Sequence, residues 1–416
     1  MERVGGRPAA PPGPSAPRVP RQRRAFSTLG GPIELGGDPA HARALGALLD
    51  VDPALARALT HGFHSYAGRM HPSIARGAIT RLSRPGERVL DPFCGSGTVL
   101  VEAVSLGRQA VGVDASPLGV AIALVRTTVL SAADRRRLID EAARIAQLAG
   151  QDARKRRRPP MPTWGRRELE RFAPHVLLEL LVLREQVLAV ATDDVGRAVQ
   201  LCFSSILVKL MKAGPEAPRD GGTKRIARGA PSRLLADRAA ELANGLEALE
   251  RRVPPGTPPP RIKRGDARSL DGPDASVDLI VSSPPYAGTY DYVTQHDARF
   301  TWLDLPRAGF DATQIGARAD TGFGADPAAW RDARRRWLAE MQRVLRPGGY
   351  ALLVVGDGIV GAQPEDAADA IADAVEGTAL MPIARASQAR PTFDRRLRAI
   401  FAGRPRREHL LLLQRR

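Results

Sequence analysis

The chain has 416 residues, 43% of them hydrophobic, which is enough for one large α/β domain with an insertion or for two domains. Its 62 lysines and arginines against 45 acids give a formal net charge of +17. That balance suits a polyanionic partner, although an arginine-rich composition alone would also produce it. Two cysteines, Cys94 and Cys202, are too few for a disulfide framework and show no zinc-ligand spacing. No apolar run reaches the roughly 20 residues that span a bilayer, and the first residues lack the apolar stretch of a signal peptide. The expectation is a cytoplasmic chain with no membrane contact and no metal.

Residues 1–24 are Pro, Gly, Ala and Arg with almost no large apolar side chains, and read as a disordered basic tail. Residues 25–130 begin with helical segments over 40–82, around the denser stretch Phe63 to Pro72. From Arg88 the pattern changes. Val89-Leu90 reads as a strand ending in Asp91, followed by a glycine-containing turn and a helix from Thr98 to about Leu106. Gln109–Val113 reads as a second strand ending in Asp114, with Ser116 as the cap of the next helix and Pro117 at its first position. This is the opening of a doubly wound parallel sheet.

Residues 131–260 read as a helical insertion, with basic patches at Arg154–Arg158 and from Lys224 to Arg233 and a Pro-rich linker from Val253 to Pro260. The sheet resumes over 261–416. Ile262 to Asp266 ends a third strand, Val277–Ser282 is a buried strand, and Tyr350–Val355 follows the turn Arg346-Pro-Gly-Gly349. Residues 396–401 and 409–414 read as a terminal antiparallel pair.

The turn Asp91-Pro92-Phe93-Cys94-Gly95-Ser96-Gly97-Thr98 places two glycines where backbone must approach a ligand. The free N–H groups of the following helix favour a carboxylate, such as that of a methionine moiety, or else a nucleotide phosphate. Neither the P-loop Gly-Lys-Ser/Thr nor G-x-G-x-x-G is present. Asp114 stands where an acid accepts from both ribose hydroxyls, and Asp266 where one would accept from an adenine amino group.

Asp91 to Asp114 resembles the cofactor loop of amino-methyltransferases that act on DNA. The resemblance implies a Rossmann-like class I methyltransferase fold and S-adenosylmethionine as cofactor. It implies that Asp91, Phe93, Gly95 and Gly97 contact the amino-acid part of the cofactor and Asp114 its ribose. Pro92, Cys94, Ser96, Thr98, Ala115, Asp266 and Ala267 would complete the site. Tyr66-Ala-Gly-Arg-Met-His-Pro72 resembles the segment that closes over the cofactor, which adds Tyr66, Arg69 and His71, though His71 reads equally well as a capping or core histidine.

Ser283-Pro284-Pro285-Tyr286 follows a buried strand, where a Pro-Pro pair forces the chain out of the sheet. An aryl amine is a poor nucleophile, because its lone pair is delocalised into the ring. The Ser283 hydroxyl and Pro284 carbonyl are acceptors able to draw its hydrogens, two prolines stiffen the loop, and Tyr286 suits stacking on a base swung out of a duplex. The tetrad resembles the catalytic motif of amino-methyltransferases, and its Ser form is most often seen in cytosine-N4 DNA enzymes. Cytosine-C5 chemistry is excluded, since neither cysteine follows proline.

The expected function is methyl transfer to cytosine N4 in duplex DNA, with target recognition within the insertion and a cognate restriction enzyme as a candidate partner. Adenine N6 in DNA, or an amino group in tRNA or rRNA, is the rival substrate. Two further readings stand beside it: a nucleic-acid-binding protein on an inactive methyltransferase fold, and a protein methyltransferase. For Tyr290 to Trp302 two roles are open: gripping the base or strand through aromatics and Arg299, or packing, with packing favoured for Phe300 and Trp302. The oligomeric state is left open.

Overall fold

The computed structural model describes residues 31–154, 161–214, 216–217, 226–289, 291–316, 324–391 and 395–416. The tail at 1–24, most of the Arg154–Arg158 run, Lys224 and Tyr290 lie outside them.

The described chain starts with a strand that the sequence pattern does not announce, β1 (Ile33–Gly37), and two helices, α1 (Pro39–Leu48) and α2 (Pro72–Leu82). Strands and helices then alternate through β2 (Arg88–Asp91), α3 (Thr98–Ser105), β3 (Gln109–Asp114) and α4 (Pro117–Thr127). A run of helices follows: α5 (Ala132–Arg154), α6 (Gly165–Arg171), α7 (Pro174–Leu188), α8 (Asp194–Leu210) and α9 (Ala230–Glu250). The sheet resumes with β4 (Arg261–Arg264) and β5 (Val277–Ser282), which is followed by three short helices, α10 (Tyr292–Gln295), α11 (Asp297–Trp302) and α12 (Phe310–Thr313). Helix α13 (Pro327–Val344) leads into β6 (Leu345–Gly356), the small hairpin β7 (Gly358–Val360) and β8 (Gln363–Glu365), and α14 (Ala367–Val375). The described chain closes with β9 (Leu380–Ala389), α15 (Arg395–Ile400) and β10 (Arg407–Arg415).

Local chemistry fixes many of the boundaries. The Ser116 hydroxyl accepts from Gly119 N and starts α4, with Pro117 at the position where a missing N–H costs nothing. Asp38, Asp326 and Asp366 begin α1, α13 and α14 in the same way. The first turn of α9 is anchored from a distance: Glu179 on α7, buried, accepts from Gly229 N, Ser232 N and the Ser232 hydroxyl. Glu179 therefore docks one insertion helix on another.

The main sheet has the order β1-β9-β10-β6-β5-β2-β3-β4. The five strands from β4 to β6 are parallel, while β10 is antiparallel to both β6 and β9, and β1 to β9. The chain winds outward from β2 to β4, then returns to β5 and winds the other way, so the topological switch lies between β2 and β5. This is the doubly wound, Rossmann-like arrangement expected from the sequence. Successive strand residues face opposite layers. Val281, Leu352 and Leu410 pack under α1, α2 and α3, while Ile280, Leu353 and Leu411 pack under α13 and α14. A third core joins α4 to α5, α7, α8 and α9 and takes in Phe300, Trp302 and Phe310 from beyond β5.

Two readings of the C-terminal region change. Residues 396–401 fall in and after helix α15, and the antiparallel partners of β10 are β6 and β9. Strand β4 ends at Arg264, and Asp266 stands two residues past it, bridged to Ser269. Among the described residues, no helix is long and apolar enough to cross a membrane.

Candidate functional site

Ligands in open α/β sheets bind beyond the carboxyl ends of the strands at the switch point. There β2 delivers Asp91, β3 delivers Asp114 and β5 delivers Ser283, and a cleft of about 830 Å³ opens among them. One wall is the turn Asp91, Pro92, Phe93, Cys94, Gly95 and Ser96, with Thr98. Tyr66 and Arg69 form the approach from before α2. Ala115, Asp266 and Ala267 line one end, and Ser283 and Pro285 face the turn.

The turn is built on close contacts. Gly95 and Gly97 have φ of +45° and +78°, the left-handed region that favours glycine. A Cβ on Gly97 would stand 2.8 Å from that of Ala123 on α4, and one on Gly95 would stand 3.1 Å from the Tyr66 ring. Asp114 clamps the turn: Oδ2 accepts from Gly95 N at 2.7 Å and Oδ1 from Ser116 N at 2.8 Å. Asp91 accepts from the Ser282 hydroxyl at 2.6 Å and from Phe93 N at 3.1 Å. The base of the turn is thereby joined to β5 immediately before Ser283.

Among the described residues, neither acid has a cation beside it. Burial pushes Asp91 up to about 7 and Asp114 up to about 6, against the hydrogen bonds each accepts. Burial, followed by the charge of Asp114, holds the Tyr66 phenol well above its usual value, so it stays protonated. Its ring stacks on His296, with centroids 4.8 Å apart.

Several expected site residues fall elsewhere. His71 is buried, accepts from Ser73 N as the cap of α2, and does not line the cleft. Gly97 packs on α4 behind the turn. Asp266 lines the cleft, but its carboxylate is held by the Arg268 guanidinium through contacts of 2.7–3.1 Å. Burial would raise that acid, and Arg268 outweighs burial and lowers it. Pro284 is buried, and Tyr286 turns to the other side of the tetrad loop, where with Pro284 it borders a smaller cavity of about 300 Å³. Arg299 is fully buried and donates to the Ser65 carbonyl and hydroxyl, so it is not available to grip a strand. Phe300 and Trp302 are core residues; Trp302 packs edge-on against Trp164 and Phe172 of the helical block.

Other contributors carry no motif. Arg126, fully buried on α4, donates to the Ser96 carbonyl and hydroxyl, to Thr60 O, and to Nδ1 of His61. Nε2 of His61 bonds Glu102, which also pairs with Arg76. Burial pushes His61 down to about 4, so it takes part as a neutral ring. This network ties the segment before α2 to the cofactor turn. Phe310, Thr313, Gln314 and Ile315 roof the cleft near Ala115; a buried arginine and a distant short helix give no local signal. Among the described residues, Asp357, Asp366 and His409 come close enough together to suggest an ion. Their oxygens already accept from Ala367 N, Arg407 N, Ala368 N and Arg404.

The donor set fits S-adenosylmethionine. Two buried carboxylates without countercharge suit a ligand bringing an ammonium and a sulfonium, and the glycine turn leaves room for backbone approach.

Residues 61–124 match the N6/N4 methyltransferase family, described as DNA methylase. The chain is 38% identical over 66 residues to the Type II methyltransferase M.MjaII of Methanocaldococcus jannaschii, covering 16% of this chain and 12% of that protein. It is 35% identical over 86 residues to the Type II methyltransferase M.MvaI of Kocuria varians, covering 20% and 19%. It is also 47% identical over 51 residues to a tRNA (guanine(10)-N2)-dimethyltransferase of Methanothermobacter thermautotrophicus, covering 12% and 15%. The matched stretches thus span less than a fifth of each relative.

Proposed function

We propose that this chain, whose residues 61–124 match the N6/N4 family of DNA methylases, is an S-adenosylmethionine-dependent methyltransferase acting on N4 of cytosine in duplex DNA. The observation that carries the reading is the junction at the switch point: Ser283 lines the cleft, and the neighbouring Ser282 hydroxyl is bonded to Asp91 at the base of the cofactor turn. Acceptor and cofactor sites are therefore held in one rigid piece.

When bound, the cofactor supplies an electrophilic methyl group on a sulfonium centre. Asp91 and the turn Phe93 to Gly95 hold its amino-acid end, and Asp114 accepts from its ribose. The Ser283 hydroxyl accepts a hydrogen of the target amine, and the Pro284 carbonyl accepts the other. Both draw the nitrogen towards a tetrahedral, nucleophilic form and stabilise the positive charge that develops on it. Pro284 and Pro285 fix these acceptors before the base arrives. The excess proton leaves to solvent, so no general base is needed. Serine at the first tetrad position favours cytosine. The net charge of +17 supports a nucleic-acid substrate, and residues 131–260 are the candidate target-recognition region.

The similarity to a tRNA dimethyltransferase favours a second reading, transfer to an amino group in RNA. One assay separates the two: labelled S-adenosylmethionine is offered with unmethylated duplex DNA and with total RNA, and the products are digested to nucleosides for mass spectrometry. N4-methyldeoxycytidine, lost in Ser283→Ala, is the expected product. N6-methyldeoxyadenosine or labelled RNA nucleosides would replace the substrate, and no transfer to either polymer would overturn the proposal.

A further inference from the structure

The last residue of the tetrad does not point into the cofactor cleft. The Tyr286 hydroxyl donates to Oε1 of Glu408 at 3.1 Å, and Oε2 of Glu408 accepts from Arg390 at 2.8 Å. Glu408 and Arg390 are 6% and 4% exposed, and Arg390 also donates to Gln388 at 2.6 Å. The ring packs closely on backbone: a Cβ on Gly356, at the end of β6, would fall 2.5 Å from its Cε2 edge. Three residues on, the Thr289 hydroxyl accepts from Arg406 at 3.0 Å, while Arg406 donates to Asp357 O at 2.8 Å. The Ala287 carbonyl accepts from Ile359 N at 2.9 Å. Residues 286–289 are therefore gripped from the start of β10 and from the corner between β6 and β7.

We propose that the start of β10 fixes the plane of Tyr286 and hence the seat of the target base, with Glu408 as a positioning residue that acts through the Tyr286 hydroxyl. The proposal rests on the reading of Ser283–Tyr286 as the catalytic loop. A buried ion pair is a costly way to gain stability, because both charges must leave water. What it supplies here is an oriented acceptor. Arg390 holds one oxygen of Glu408, which leaves the other at a set place for the phenol. The phenol sets the tilt of the ring, and Gly356 supplies the depth to which the ring sinks. A stacking partner whose rotation is blocked before the base arrives loses little entropy on binding. Through Glu408, a sheet strand remote in sequence from the tetrad takes part in aligning the amine with Ser283.

The experiment is a double-mutant cycle on the full chain, with Tyr286→Phe, Glu408→Gln and the double variant. Turnover on unmethylated duplex DNA, cofactor dissociation constant and melting temperature are measured for each. Wild-type turnover tests the catalytic reading; the comparison of the singles with the double tests the positioning. Each single variant is expected to lose about tenfold in kcat, the scale of one hydrogen bond to a charged group, with cofactor affinity unchanged within about twofold. The double variant is expected to lose no more than the worse single. Gly356→Ala, which lifts the ring without touching the ion pair, is expected to lower kcat in the same way while leaving cofactor affinity unchanged. Losses that multiply in the double variant, or a Glu408→Gln protein that melts earlier but turns over normally, would overturn the proposal.

Discussion

Asp114 and Asp266 stand near the carboxyl ends of neighbouring strands, β3 and β4, and both border the cleft, yet their surroundings have opposite sense. Asp114 is held by two backbone N–H groups with no described cation beside it, and burial pushes it up to about 6. Asp266 has a guanidinium two residues away that takes both its oxygens and lowers it. A carboxylate that is bonded but uncompensated is arranged for an incoming ligand. One that already has a forked arginine partner is arranged for the fold. Position at a strand end therefore nominates a ligand acid, and electrostatic company decides between nominees.

The sharpest way to break this contrast is to remove each acid. Asp114→Ala deletes the ribose acceptor and releases Gly95 N and Ser116 N together, so cofactor affinity measured by calorimetry is expected to fall about 100-fold or more. The second test is pH. Ionised Asp114 and Asp91 are the binding forms, so affinity is expected to rise as pH passes through about 6 and about 7, and to fall by up to about tenfold per unit between them and up to about a hundredfold per unit below both. Stability of the empty protein should move in the opposite direction. The folded acids hold their protons to higher pH than the unfolded chain does. Their contribution is therefore full below the unfolded value of 3.8 and is lost as pH rises through the folded values. Asp114→Asn should flatten part of that slope in melting curves. The smallest effect is expected at the other acid: Asp266→Asn should change cofactor affinity by less than about threefold and, as a partly exposed pair with Arg268, cost at most about 1 kcal/mol of stability. A loss at Asp266 as large as that at Asp114 would erase the distinction.

The half of the fold that holds the cofactor turn is legible in the sequence because its signals are local. Asp91 to Gly97 compresses strand end, turn and helix start into a few residues, and Ser116-Pro117 announces α4 by capping chemistry. The Val277–Ser282 strand is legible from its buried apolar run Leu279-Ile280-Val281, as expected of a parallel strand covered on both faces. Residues 396–401 read as a strand from a short apolar run, which periodicity cannot separate from a helix. Strand β1, with two glycines in five residues and little buried surface, has no strand signature at all. At the site, the motif locates Ser283 correctly beside the strand end but gives no means of orienting Tyr286. Its partner Glu408 is 122 residues away and joins it only through the sheet. Arg268 is the missing term for Asp266: its proximity is visible in the sequence, but whether it folds back on the acid depends on the turn between them.

The order of strands also has a consequence for how the molecule assembles. Strand β10 lies between β6 and β9, although β9 precedes it in the chain. When β9 has been laid down it has no seat on the sheet, and β1, which among the described residues pairs only with β9, has none either. Both must wait for β10 to slot against β6 before they can be hydrogen-bonded into place. Assembly of this flank thus runs in reverse of chain order, and its outermost step, β1 on β9, joins segments far apart in sequence, a contact that is slow to form because chain entropy is lost before it is rewarded. The pairing of β1 with β9 is therefore expected to gain protection from hydrogen exchange only after β10 has docked on β6.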